Sequence, residues 1–283
     1  SPGLDFDYTN EEDYQLLYQK LQQLLELGIC RFGLLLDDID YQIVDAVERR
    51  FKKTAYAQAH LATQVYHFLN QQHAAPELVV CPTEYDNHHD SIYLQELSER
   101  IPKEVAFFWT GPSTLASQIS QIDIETMAAI YHRPIIIWDN IPVNDYQKDP
   151  ERLFLTPFAN RSPFLCQSDY QVKGIVSNPM ISWELSKLTL TDMSHYLWDA
   201  NRYQPSHSWL ETLTDYAGDA ELALALQAFA WHNGNRHLHR DLPFEVEEAL
   251  VANDVPTLSA WVAELVELVN TLKKLDTVSY KHL

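Results

Sequence analysis

Arg31-Phe32-Gly33-Leu34-Leu35-Leu36-Asp37-Asp38-Ile39-Asp40 is an apolar run that ends abruptly in acid. Short and without polar alternation, it reads as a strand buried on both faces, as in a parallel α/β sheet. Such sheets carry their chemistry at the C-terminal ends of the strands, where Asp37 and Asp38 stand side by side. Neighbouring ionised carboxylates repel, so an environment that keeps one charged raises the pKa of the other and supplies a base and an acid together. The same ten residues also read as a solvated acidic loop that caps the next helix, so the flanking sequence has to separate the two readings.

Upstream, Tyr14, Leu17, Tyr18, Leu21, Leu24 and Leu25 repeat at helical spacing, with a capping box expected from Thr9 and Glu12 and a stop at Gly28. Downstream, a long helical stretch is expected from about Tyr41 to Gln72. Further short apolar runs follow: Leu78-Val79-Val80-Cys81, Val105-Ala106-Phe107-Phe108-Trp109, Ile135-Ile136-Ile137-Trp138 and Gly174-Ile175-Val176. With helical segments between them, these are five strands in βα order, the pattern of a parallel sheet, open or barrel.

The residues after each strand are alike in kind. Pro82-Thr83-Glu84-Tyr85-Asp86 follows the second, Trp109-Thr110-Gly111-Pro112 the third, Trp138-Asp139-Asn140 through Asp145-Tyr146 the fourth, and Ser177-Asn178-Pro179 the fifth. A rim of aromatics, amides and acids suits a carbohydrate, whose faces stack on rings and whose hydroxyls pair with Asp and Asn. Taken singly, each Trp reads more readily as core and each Asn-Pro as a turn.

Composition narrows the class. The chain has 283 residues, 46% of them hydrophobic, enough for a large core. A formal net charge of -20 repels phosphate backbones and anionic lipid, which argues against nucleic-acid and membrane partners. Cys30, Cys81 and Cys166 are odd in number and set in apolar sequence, so they read as reduced core thiols of a cytoplasmic protein. No stretch is long and apolar enough to cross a bilayer.

As a set, Ser1-Pro2-Gly3-Leu4-Asp5, the Leu36-Asp37-Asp38-Ile39-Asp40 turn, Cys81-Pro82-Thr83-Glu84-Tyr85, Trp109-Thr110-Gly111-Pro112, Trp138-Asp139-Asn140 with Asn144-Asp145-Tyr146, and Asn178-Pro179 resemble glycoside hydrolase family 84. That family comprises the O-GlcNAcases and related bacterial β-N-acetylglucosaminidases once called hyaluronidases. The resemblance implies a (β/α)8 TIM barrel and a retaining, substrate-assisted mechanism through an oxazoline, with no metal or other cofactor. By the same resemblance, Asp37 accepts the N–H of the substrate's acetamido group and Asp38 is the general acid and base. Tyr85 lines the acetamido pocket, Trp138 forms part of its wall, Asn140 holds the reacting groups, and Asp145 and Asn178 take the far hydroxyls. Cys81 and Tyr146 either support these residues from behind or serve ordinary packing. The implied partner is a GlcNAc-bearing protein or glycan.

In this resemblance Ser1-Pro2-Gly3 aligns after the family's third strand, so the expected fold is a partial barrel of about the last five strands, over residues 1–185, followed by an α-helical domain over 186–283. The expectation that follows is a chain completed by the N-terminal barrel segment or by another chain, and inactive alone. A non-catalytic sugar-binding or assembly module is the alternative function. Beyond Met180, helices are expected over Trp183 to Trp198, after a Ser208–Glu211 capping box, and from Glu245 to Leu275 with a break near Asp254-Val255-Pro256. His237-Leu238-His239 and His88-His89 lack a third ligand at a recognisable spacing, so no metal site is expected.

Overall fold

The structure, a computed structural model, describes residues 1–39, 45–71, 77–87, 89–145, 153–167, 171–234, 249 and 252–279. Asp40, Tyr41, His88, Tyr146, His237, His239 and the expected helix start at Glu245 lie outside the described residues. Contacts group the chain into two compact units, 1–139 with 164–176 and 140–163 with 177–283. The units interleave along the chain, where the sequence reading draws a single border at 185.

In the first unit, α1 (Glu11–Glu26) leads into β1 (Arg31–Leu35). Asn10, not Thr9, caps α1 by accepting the Glu12 N–H at 3.1 Å. Thr9 is taken by Asp7, whose carboxylate receives both its N–H (2.8 Å) and its hydroxyl (2.7 Å). Gly28 ends the helix as expected, at φ +83 with its N–H on the Leu25 carbonyl at 2.9 Å. The long helical stretch expected next holds two helices, α2 (Asp45–Phe51) and α3 (Thr54–Asn70), parted at Lys52, where φ is +71. A left-handed residue cannot continue a right-handed helix.

The chain then alternates: β2 (Glu77–Cys81), α4 (Ile92–Arg100), β3 (Ala106–Trp109), α5 (Gln121–Tyr131), β4 (Ile135–Asp139), a 3-10 turn (Pro163–Cys166) and β5 (Val172–Ser177). The five strands lie in the order β1-β2-β3-β4-β5, and each pair from β1 to β4 is parallel. An order that never reverses is that of a barrel wall, not of a doubly wound open sheet, which reverses at a switch point. Two-faced burial belongs to β3, all four of whose residues are buried. In β1 Phe32 and Leu34 are buried while Arg31 and Gly33 are exposed, so the strand covers one face and not both as expected. Below the strands, Arg133 is 1% exposed over the Phe107 ring and donates to the Tyr131, Pro102, Val105, Ser98 and Ile101 carbonyls.

The second unit is helical: α6 (Trp183–Trp198), α7 (Pro205–Ala217), α8 (Ala220–Gly234) and α9 (Val255–Ser279). Its core gathers Phe154, Leu155, Met180, Leu188, Trp209, Leu213 and Leu226. The α6 bounds are those expected. Ser208 caps nothing: α7 starts with Pro205, which suits the first turn because its missing N–H would have no helical partner, and Ser208 is buried inside the helix with Oγ 2.7 Å from His195 Nδ1. Asp254 begins α9 by accepting the Thr257 N–H at 3.3 Å and hydroxyl at 2.7 Å, which accounts for the break expected there. Cys81 is buried, but Cys30 and Cys166 are exposed, so two of the expected core thiols lie outside the core at element ends. Among the described residues no helix is long and apolar enough to cross a membrane.

Candidate active site

The first unit places the acidic pair where β1 lets go of the sheet. The Leu36 N–H makes the last ladder bond, to the Cys81 carbonyl at 2.9 Å. Asp37 follows half-buried, and Asp38 is exposed at φ +49, a left-handed conformation that Asp tolerates better than most residues. Burial raises the Asp37 carboxyl above the ordinary carboxylate range; its own backbone N–H opposes this, and the neighbouring Asp38 charge adds to it.

Tyr85 closes on the pair. Its hydroxyl donates to Asp38 Oδ1 at 3.2 Å. Burial, and then the Asp38 charge, push the phenol up to about 12, so it remains a donor at neutral pH. Behind Tyr85, Thr110 donates its N–H (2.9 Å) and hydroxyl (3.3 Å) to the Tyr85 carbonyl. The turn that allows this contains Gly111 at φ +109, where a Cβ would come within 2.6 Å of Ala116. Cys81 is held neutral: burial, Asp37 and Asp38 all push its thiol up.

The two tryptophans of the rim part company. Trp138 on β4 is half-buried, edge-to-face on Phe108 with centroids 5.3 Å apart. Trp109 is fully buried with Nε1 on the Asn87 carbonyl at 2.7 Å, so it is core and not a sugar platform.

The second unit holds the remaining candidates. Asn178 Nδ2 donates to Asn140 Oδ1 at 3.0 Å, which joins the residues that follow β4 and β5. The Ser177 hydroxyl donates to the Ile141 carbonyl, and buried Asn144 accepts the Ile181 N–H at 3.4 Å, so the segments carrying both asparagines are laced together. Asp145 is exposed. The structure thus joins Asp38 to Tyr85 and Asn140 to Asn178, and leaves the Asp145 carboxylate in solvent.

Sequence reading passed over Gln58 and Tyr93, which are buried beside the Thr83 side chain. Gln58 had a signal: it is the polar residue in the register of Ala55, Leu61, Ala62 and Val65 on the buried face of α3.

Chemically, the first unit offers one exposed carboxylate gripped by a tyrosine and one half-buried carboxylate shifted toward its neutral form. Unequal carboxyls of this kind suit acid and base work at a glycosidic bond. The family model for beta-N-acetylglucosaminidase matches residues 1–231, and the chain belongs to that family of glycoside hydrolases. Among curated proteins, protein O-GlcNAcase of Mus musculus and of Rattus norvegicus are each 34% identical over 197 residues, 67% of this chain. The chain spans 20% of the length of each of these relatives. Among solved structures, an Asp-to-Asn mutant of the Thermobaculum terrenum O-GlcNAc hydrolase is 28% identical with a TM-score of 0.80, covering 96% of this chain and 59% of its own. CpGH84B is 26% identical with a TM-score of 0.71, covering 82% of this chain and 40% of its own. The fold is accordingly α/β, a partial barrel of the TIM type carried by these glycoside hydrolases.

Proposed function

We propose that this chain carries the catalytic rim of a retaining β-N-acetylglucosaminidase that releases GlcNAc from proteins or glycans by substrate-assisted catalysis. The carrying observation is the unequal pair at the end of β1, Asp37 half-buried and Asp38 exposed under the Tyr85 hydroxyl. Asp37 accepts the acetamido N–H and so turns the acetamido oxygen onto the anomeric carbon. Its carboxylate stabilises the positive charge that develops on the oxazoline nitrogen. Asp38 protonates the leaving oxygen and then takes a proton from the incoming water. In the free protein burial raises the Asp37 carboxyl. A sugar seated over Asp38 displaces the water around it.

Tyr85 serves this scheme twice, first by holding the Asp38 carboxylate and then by lining the acetamido pocket. Trp138 supplies an apolar wall. Asn140 steadies the reacting groups, and Asn178 and Asp145 bind the far hydroxyls, roles supported by the motif resemblance and by the Asn140–Asn178 hydrogen bond. The chemistry is organic and the proposal requires no metal. The test is hydrolysis of an aryl β-N-acetylglucosaminide by the full-length protein, followed by NMR of the first-formed anomer. Retention fits the double displacement; inversion, or no hydrolysis at all, overturns it.

A further inference from the structure

The Leu36 carbonyl, one bond before the Asp37 nitrogen, is held by a side chain where the ladder calls for backbone. With Leu35 opposite Cys81 in a parallel pair, the Leu36 N–H should reach the Cys81 carbonyl and the Leu36 carbonyl should receive the Thr83 N–H. The first of these bonds is made, at 2.9 Å. The Thr83 N–H, however, donates to the Tyr93 hydroxyl at 2.9 Å, and the Thr83 hydroxyl donates to the Leu36 carbonyl at 2.7 Å in its place. Gln58 Nε2 donates to Thr83 Oγ1 at 2.8 Å, and the Tyr93 hydroxyl donates to Gln58 Oε1 at 2.5 Å.

Thr83, Gln58 and Tyr93 therefore form a circuit anchored on α3 and α4 that reaches, through the Thr83 hydroxyl, the peptide plane that enters Asp37. Gln58 is fully buried and Tyr93 is 8% exposed, so the circuit competes with little water. Asp37 and Asp38 lie beyond the last ladder bond between β1 and β2, where that pairing no longer fixes their direction.

We infer that Thr83, backed by Gln58 and Tyr93, is a positioning residue for Asp37, setting the Leu36–Asp37 peptide plane and with it the point where the carboxylate meets the acetamido group. This rests on the proposed role of Asp37. Displacing a reacting group by about 1 Å costs on the order of 10²-fold in rate, so a hydrogen bond this close to the carboxylate reads out in turnover.

The experiment is a double-mutant cycle in the full-length protein on an aryl N-acetylglucosaminide. Thr83→Val keeps the side-chain shape and removes the hydroxyl. It should lower kcat by roughly 10- to 100-fold with KM little changed, while Thr83→Ser restores most of the rate. Tyr93→Phe, which loosens the circuit but leaves the Thr83 hydroxyl on Leu36, should lower kcat by only about threefold. In an Asp37→Asn background Thr83→Val should cost almost nothing further, because its effect passes through the missing carboxylate. An unchanged kcat in Thr83→Val, or a full additional loss in the Asp37→Asn background, overturns the inference. If Thr83→Val does not fold, Tyr93→Phe is carried through the same cycle with the same criteria. An Asp37→Asn protein with undiminished kcat overturns the proposed role of Asp37 itself, and this inference with it.

Discussion

Burial pushes two aspartates of this chain toward the neutral form, and their surroundings differ. Asp192 on α6 is fully buried, and its Oδ2 accepts the Phe158 N–H at 2.7 Å and the Tyr203 hydroxyl at 2.5 Å. Asp37 is half-buried, and among the described residues the hydrogen bond that favours its charged form comes from its own backbone N–H. Asp192 uses Oδ2 to tie a loop and the segment before α7 to α6; it is a strut. Asp37 remains partly open to solvent, as its proposed role requires. Burial alone does not mark a candidate site; a partly desolvated carboxylate that a ligand can still reach does.

The comparison breaks most visibly at the acid beside Asp37. Asp38→Asn should cut cleavage of a natural glycoside by roughly 10³-fold, because a poor leaving group needs a proton. The first step on an activated aryl glycoside should be spared; equal loss on both removes Asp38 from the acid role. Next comes Asp37→Asn, expected to cost about 10²- to 10³-fold on both substrates together. The melting temperature of this variant should hold or rise, since a charge raised by desolvation is removed. A fall in stability as large as the fall in rate places Asp37 with the struts.

Asp192→Ala should do the reverse. Two donors lose their acceptor, for about 3 kcal/mol of stability in denaturant titrations, while KM of the folded fraction stays put. The pH profile of stability sharpens the point. A carboxyl raised in the native state keeps a proton that the unfolded chain has lost above about pH 4, so its contribution is complete below that pH and falls as pH rises through the raised native value. Asp192→Asn should remove its share of that decline, and an unchanged slope refutes the assignment. A smaller effect belongs to Tyr85→Phe. Loss of a 3.2 Å bond to an exposed carboxylate should lower kcat by only about three- to tenfold. A loss as large as that of Asp38→Asn gives Tyr85 a larger part than the one proposed.

Much of the fold could be read directly. The five strands fall within two residues of the expected bounds because short apolar runs between turn residues have few other uses, and α6 shows its periodicity without interruption. Ladder order was not legible, since a run of βα units fits an open sheet or a barrel until the pairing is known. Helix starts misled where two polar residues competed: Asp7 claims Thr9 and hands the α1 cap to Asn10, and Pro205 sets the start of α7 upstream of Ser208. The acid pair was legible because it ends the first strand. The circuit behind it was not, because Gln58 and Tyr93 reach Thr83 across 25 and 10 residues of sequence and no local pattern records such a meeting.

The central claim is that the substrate's own acetamido group is the nucleophile and that Asp37 directs it. Aryl glucosaminides whose N-acyl group carries none, one, two or three fluorines differ mainly in the basicity of that carbonyl oxygen. Measured on the full-length protein, kcat/KM should fall steeply and steadily with each fluorine, as the oxygen becomes a poorer attacker of the anomeric carbon. A flat series would mean that a group of the protein or a water molecule attacks instead, and would contradict the part proposed for Asp37.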